Sequence, residues 1–360
     1  MSSLRPVRGD AAAVGAALDD WLAAPAEPEP LVVETSGSTG RPKRVVLTRS
    51  AVLASARATA RRLDVEGRWL LALPPAYVAG LQVCVRSLLA GAPAVDLADH
   101  PSLAAAAAAL GDGPRLTSLV PTQLHRLLDD PASAEALATF HTVLLGGGPV
   151  DRALRERAAA VGVRTVATYG ASETAGGCVY DGVPLDGVAL AVGEGGRLRI
   201  GGPTLFSCYD GDPALTAEVL VDGWFLTSDA GRLDDDGRLQ VLGRLDDVVV
   251  SGGVNVPGPA VAARLREHPA VAAAEVVGVP DDEWGQQVAA VVVGRLSLAE
   301  ARDWVAEVHP RSWAPREVRV VDALPLLAHG KVDRLALRRL VRAPGAPGDH
   351  AAGTGEAGPS

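Results

Sequence analysis

Lysine is almost absent from this sequence, cysteine is sparse, and no long apolar run occurs; each shortage removes a class of function. The three cysteines, Cys84, Cys178 and Cys208, stand far apart with no Cys-x-x-Cys pair. That spacing argues against a disulfide framework or a zinc site and fits a reducing cytosol. The longest apolar stretch, residues 103–110, is mostly alanine. It falls far short of the roughly 20 residues a membrane span needs, so no integral membrane segment is expected. MSSLRPVRGD at the N-terminus is followed by no apolar h-region, which predicts no secretory leader and a cytoplasmic location. A net charge of −9 lacks the basic excess that displaces counterions from nucleic acid, which excludes nucleic acid as an expected partner.

Of the 34 basic residues two are lysine, Lys43 and Lys331, and 32 are arginine. Arginine is thus the default surface cation, and lysine stands only inside two glycine-containing motifs. The two cations are not interchangeable where a compact ammonium must reach a phosphate or carboxylate oxygen.

At 360 residues the chain suits two domains. After an amphipathic helix at 10–24 and the spacer AEPEP, strand-like and helix-like stretches alternate as far as RTVATYG. That rhythm predicts an α/β sheet with ligands at the carboxyl ends of its strands. Beyond Tyr180, short strands separated by Gly/Asp turns predict a small antiparallel β subdomain. The expected class is α/β: a large N-terminal α/β domain (1–243) with the added β subdomain, a hinge at 244–247, and a small mobile C-terminal α+β domain (248–342). The remainder, 343–360, is low-complexity and expected to be disordered.

Five motifs carry chemistry. Thr35, Ser36, Gly37, Ser38, Thr39, Gly40, Arg41, Pro42 and Lys43 form a hydroxyl- and glycine-rich turn after a strand. Such a turn lets backbone N–H groups and hydroxyls cradle phosphate oxygens; a surface hairpin is the plain alternative. It is not a Walker A loop, whose lysine follows a glycine directly. Tyr169, Gly170, Ala171, Ser172, Glu173 and Thr174 also end a strand: the ring could stack on adenine and the carboxylate hold Mg²⁺ beside a triphosphate. A helix cap reads equally simply. Gly146, Gly147, Gly148 and Pro149 could present backbone to a flat base, or form a tight turn. Asp229, after Thr227 and Ser228, suits a ribose-hydroxyl acceptor at a strand end, or a turn. Gly243–Asp247 and Ser251–Asn255 look like a hinge followed by a glycine loop, or a salt-bridged linker.

In this order and spacing the motifs resemble the acyl-adenylate-forming superfamily of acyl-CoA synthetases, peptide-synthetase adenylation domains and luciferases, from about Val32 to Leu340. The resemblance implies that residues 35–43 bind the ATP phosphates, with Gly147, Gly148, Pro149, Tyr169, Gly170 and Thr174 completing the nucleotide site. Glu173 would bind Mg²⁺, Asp229 the ribose hydroxyls, and Arg244 the ribose or phosphate side. Asp246 would be the hinge. Lys331, in GKVDR, would enter the site to help a carboxylate attack the α-phosphate, its charge stabilising the transition state. The catalytic set implied is therefore Lys331, Glu173 and Arg244.

Three departures from the family pattern stand out: Ser228 in place of glycine, Pro259 in place of glutamate, and Leu327 in place of threonine. None removes a charged catalytic group. About 34 residues precede the phosphate loop, which is short for the superfamily and similar to the o-succinylbenzoate–CoA ligase branch of menaquinone biosynthesis. The stretch from Leu73 to Leu88 strengthens that likeness. Tyr77 stands in the branch's aromatic or histidine slot, and Arg86 on the following helix is the candidate for the acid's carboxylate. A core helix with one exposed arginine is the bland alternative. The implied small-molecule partners are 2-succinylbenzoate, ATP with Mg²⁺, and CoA, its thiol guided by the loop at Gly252 and Gly253. Oligomeric state is left open, a homodimer included. Another acyl- or aryl-CoA ligase, a carrier-protein-loading enzyme and a nucleotide-binding pseudoenzyme are the rivals.

Overall fold

The computed structural model describes residues 3–35, 42–325 and 332–342. The chain forms two compact units, Met1–Val241 and Leu242–Ser360. In the first, a seven-stranded sheet runs in the order Val183–Pro184, Gly176–Tyr180, Thr165–Ala171, Thr142–Leu145, Arg115–Leu119, Arg68–Leu71, Val95–Asp96. The last five strands are mutually parallel; the first two return antiparallel.

Both faces of this sheet are covered. Leu70, Val143 and Leu145 pack into one core with the helices Leu103–Ala109, Pro121–Asp129, Pro131–Ala138 and Arg152–Ala160. Trp69, Leu71 and Leu144 face the other core, covered by the helices Arg49–Leu63 and Val78–Leu89. Two-sided burial is why these strands read as short unbroken apolar runs. Thr48 caps the Arg49–Leu63 helix, its Oγ1 accepting from the Ala51 N–H at 3.2 Å.

The antiparallel pair Ser3–Leu4 and Val7–Arg8 and two larger antiparallel sheets complete the first unit. Leu31–Thr35, Lys43–Leu47 and Cys208–Tyr209 form one. The expected β subdomain is the other, built on Ala189–Val192, Arg197–Gly201, Trp224–Leu233, Leu220–Val221 and Leu239–Arg244. Here the sequence reading needs a correction. Asp229 does not end a strand; it lies inside Trp224–Leu233. Arg197 pairs with Ala230 but Arg199 with Leu226, so four residue steps oppose two and Thr227-Ser228-Asp229 bulges out. A bulge re-aims side chains within a continuing strand, and its Thr-Ser-Asp composition mimics a turn.

The second unit is α+β. Its sheet joins Val254–Pro257, Val248–Ser251, Gly285–Gly294 and Val271–Asp281, with Glu317–Val321 parallel to Gly285–Gly294. Val276, Ala290 and Val292 alternate in their core with the helices Gly258–Arg266 and Leu298–Ala306. Val277, Val279, Ala289 and Val291 face Leu337 and Val341 of the helix Arg334–Arg342. Among the described residues no helix is long and apolar enough to cross a membrane.

Candidate active site

The strands Leu31–Thr35 and Lys43–Leu47, which flank the phosphate-loop segment in sequence, pair antiparallel. Thr35 and Lys43 are directly opposite across the two strands; Ser36, Gly37, Ser38, Thr39 and Gly40 lie outside the described residues. The third strand brings Tyr209 against this hairpin, paired with Val45. Lys43 Nζ lies 5.2 Å from the centre of the Tyr209 ring, a cation–π distance. On the same ring, the hydroxyl donates to Glu173 Oε1 at 2.6 Å. The Phe206 ring packs against it, tilted by 52° with centroids 4.9 Å apart, and the Phe206 N–H donates to the Glu173 carbonyl. Burial, and next the Glu173 carboxylate, push the Tyr209 phenol far above its usual range, so it stays a donor. Lys43 and Glu173, assigned on separate motifs, thus share one tyrosine.

Glu173 is 8 % exposed and sits in a single 3-10 turn, Ser172–Thr174, directly after the strand Thr165–Ala171. Thr174 is fully buried and ties the turn: its Oγ1 donates to Gly176 O at 2.7 Å and accepts from Ala171 N at 2.9 Å. Gly170 is dictated sterically, because a Cβ there would collide with the Gly176 carbonyl of the adjoining strand. Tyr169 donates from its hydroxyl to Asp229 Oδ2 at 2.8 Å. The bulge holds Asp229 from the other side, its N–H donating to Thr227 Oγ1 at 3.0 Å. Burial first, then Asp229, raise the Tyr169 phenol well above its ordinary value. Tyr169 therefore orients the proposed ribose carboxylate.

Beside this lies a cavity of about 130 Å³, bounded by Gly146, Gly147 and Gly170 at strand ends and by Gln82 and Arg86 of the helix Val78–Leu89. Gly148 and Pro149 follow Gly147 on the exposed side. Glycines at the strand ends leave room for a flat group against backbone. Gln82 is buried; its Nε2 donates to Val52 O at 3.2 Å and Ala175 O at 2.9 Å, and its Oε1 has no partner. Arg86 is not the exposed arginine of the bland reading: it is 7 % exposed. Its helix is buried from Gly80 through Ser87, so an arginine here points into protein. Tyr77, by contrast, is 53 % exposed at the start of that helix and does not border the cavity.

In the second unit, Arg244 ends a strand and Asp246 lies in the turn Leu245–Asp247. Gly252 and Gly253 are the two turn residues of the hairpin Val248–Ser251/Val254–Pro257. Their φ of 56° and 77° match a type I′ turn, and the Trp284 ring covers Gly252. Pro259 opens the helix Gly258–Arg266, a favourable place for proline. Lys331 and Leu327 lie outside the described residues, but the segment's ends are fixed: the Asp333 N–H donates to Pro325 O at 2.8 Å. Asp333 Oδ1 accepts from Ala336 N at 3.0 Å, and Arg334 pairs with Asp247 at 3.2 Å. Arg334 thereby connects the described residues after Lys331 to the turn Leu245–Asp247.

The sequence reading missed Tyr209, Gln82 and Arg334. Tyr209 and Gln82 carried no motif signal; Arg334 stood inside GKVDR without a role. Among the described residues no group of three or more His, Cys, Asp or Glu side chains could hold a metal. Among the described residues Glu173 is the one buried carboxylate, and its chemistry suits Mg²⁺, which binds through one or two carboxylates plus substrate phosphates.

The comparisons with known proteins agree with this geometry. The AMP-binding enzyme family matches residues 23–210, and the AMP-binding enzyme C-terminal domain matches residues 260–331. The chain is 48 % identical over 338 residues to a probable 2-succinylbenzoate–CoA ligase of Mycobacterium tuberculosis, covering 91 % of this chain and 86 % of that protein. It is similar to the o-succinylbenzoate CoA synthetase (MenE) of Bacillus subtilis in complex with the acyl-adenylate intermediate OSB-AMP: TM-score 0.71, 29 % identity, 87 % of this chain and 69 % of that one. The same synthetase in complex with ATP and magnesium ion matches at TM-score 0.71 and 29 % identity, over 85 % of this chain and 69 % of that one. With the family matched over more than half its length, this chain belongs to the AMP-binding enzymes.

Proposed function

We propose that this AMP-binding enzyme is an ATP-dependent 2-succinylbenzoate–CoA ligase, an acid–thiol ligase of menaquinone biosynthesis working in the cytoplasm. A carboxylate oxygen of 2-succinylbenzoate attacks the α-phosphorus of ATP, the α–β anhydride bond breaks, and pyrophosphate leaves. The CoA sulfur then attacks the acyl carbon of the adenylate, giving the thioester and AMP. The observation that carries the reading is the tyrosine shared by Lys43 and Glu173. It puts the lysine of the proposed phosphate-binding hairpin and a buried carboxylate on one side chain, an arrangement that suits a metal–triphosphate site.

In this reading Lys43 and the segment 35–40 bind the ATP phosphates, and Glu173 would hold Mg²⁺, which would offset the negative charge of the phosphates. Asp229, held by Tyr169, takes the ribose hydroxyls, while Gly147 and Gly170 bound the cavity for the adenylate. Gly148, Pro149 and Thr174 support those turns. Arg86 is the cation for the acid. From the second unit, Arg244 contacts the nucleotide, Asp246 acts as hinge and Lys331 stabilises charge during adenylation. Gly252 and Gly253 line the path of the CoA thiol, and a domain movement between half-reactions lets one cavity serve both.

A pyrophosphate-release assay with ATP, Mg²⁺, CoA and a panel of acids tests this. Release with 2-succinylbenzoate, and not with benzoate or fatty acids, is expected. Strong release with those acids but not with 2-succinylbenzoate would overturn the assignment while leaving adenylation intact.

A further inference from the structure

Arg86 borders a second cavity as well, of about 230 Å³, on the side of the Trp69 indole. Its guanidinium carbon lies 5.3 Å from the Trp69 ring centre. That indole lines the second cavity and not the first. Ala60 and Val65 supply apolar wall, while exposed Arg57 and Glu66 stand at its edge.

The buried guanidinium is the unexplained feature. Arg86 is 7 % exposed, its Nε has no hydrogen-bond partner, and among the described residues no carboxylate pairs with it. Burying a cation without a counter-ion is costly, and the face of an indole offsets only part of that cost. Around the cavity Arg86 and Arg57 outnumber Glu66 by one charge, so the pocket is complementary to a single negative charge. Its apolar wall and indole suit a flat apolar body.

We propose that this cavity is a second ligand site for a small aryl monocarboxylate, with Arg86 as its anion partner. The guanidinium also borders the cavity assigned to the activated acid, so the two anions compete for one cation and binding is negatively coupled. The coupling, unlike the site itself, rests on the ligase reading above.

The probe is 2-naphthoate, titrated into the full chain by calorimetry. One equivalent should bind, and Ala60→Phe, which fills the cavity, should weaken binding by at least about tenfold. Arg57→Glu, at an exposed position with little bearing on folding, should weaken it by a similar factor. In the pyrophosphate assay, 2-naphthoate should raise the KM for 2-succinylbenzoate to a finite plateau in the wild type, and both variants should need at least about tenfold more of it for the same rise. No binding, or equal affinity in wild type and both variants, would overturn the site; an unaltered wild-type KM would overturn the coupling. If 2-naphthoate binding is lost in the variants but 2-succinylbenzoate supports no pyrophosphate release, the ligase assignment fails and the second site stands.

Discussion

The hydrogen bond from Tyr209 to Glu173 gives a prediction that can be worked through. Tyr209→Phe removes one oxygen and keeps the ring, so the packing against Phe206 and the position under Lys43 are retained. What is lost is a 2.6 Å bond from a neutral donor to a carboxylate that is 8 % exposed. Hydrogen bonds to charged groups contribute about 1.5–3 kcal/mol, and burial prevents water from replacing the donor freely. For a unit the size of Met1–Val241, each kcal/mol moves Tm by about 2–4 °C. A loss near 2 kcal/mol therefore lowers the Tm of that unit by about 4–8 °C. A double-mutant cycle with Glu173→Ala, read by urea unfolding, isolates the pair from the separate costs of each truncation. The functional arm measures the Mg²⁺ concentration for half-maximal pyrophosphate release. Removing a group that orients a metal-binding carboxylate should raise it by about tenfold or more. A coupling energy below about 0.5 kcal/mol, together with an unchanged Mg²⁺ requirement, would refute both the energetic argument and the place given to Glu173.

Further outcomes follow from the same geometry. Tyr169→Phe frees Asp229 from its 2.8 Å donor and should raise the KM for ATP about tenfold with kcat nearly unchanged; an equal fall in kcat would contradict a ribose-binding role. Lys331→Ala should slow adenylate formation on the order of 100-fold while sparing thioester formation from supplied adenylate; equal loss in both half-reactions would count against the assignment. Gly170→Ala drives a Cβ into the Gly176 carbonyl and should cost about 1–3 kcal/mol in urea unfolding; wild-type stability would show that the strand pair can yield. Cys84 is buried, and burial, then Asp96, push its thiol from 9.0 to about 11. The folded state holds that proton more tightly, so its stabilising contribution is intact below pH 9 and is lost as pH rises toward 11. That loss is on the order of 3 kcal/mol, and Cys84→Ala should unfold less steeply with alkali over the same range.

What could be read along the chain was whatever is local. The strands Leu31–Thr35 and Thr165–Ala171 and the helix Val78–Leu89 announced themselves because period and glycine turns act over a few positions. The same holds for the glycine-rich motifs and for the two lysines in an arginine-rich chain: their chemistry is written in adjacent residues. The pairings were not written there. Tyr209 reaches Glu173 across 36 residues, and Tyr169 reaches Asp229 across 60; both depend on the register in which separate sheets meet. Asp229 looked like a turn residue because a bulge has turn composition, and only its strand partners decide that the strand continues through it. Arg86 and Tyr77, both named as candidates for the acid, part company for a similar reason. Helical periodicity says which residues share a face, but which face is covered depends on what packs against it, and here the arginine is buried while the tyrosine faces solvent. The sequence by itself determined the chemistry available and the family; the tertiary structure decided which groups hold one another in place.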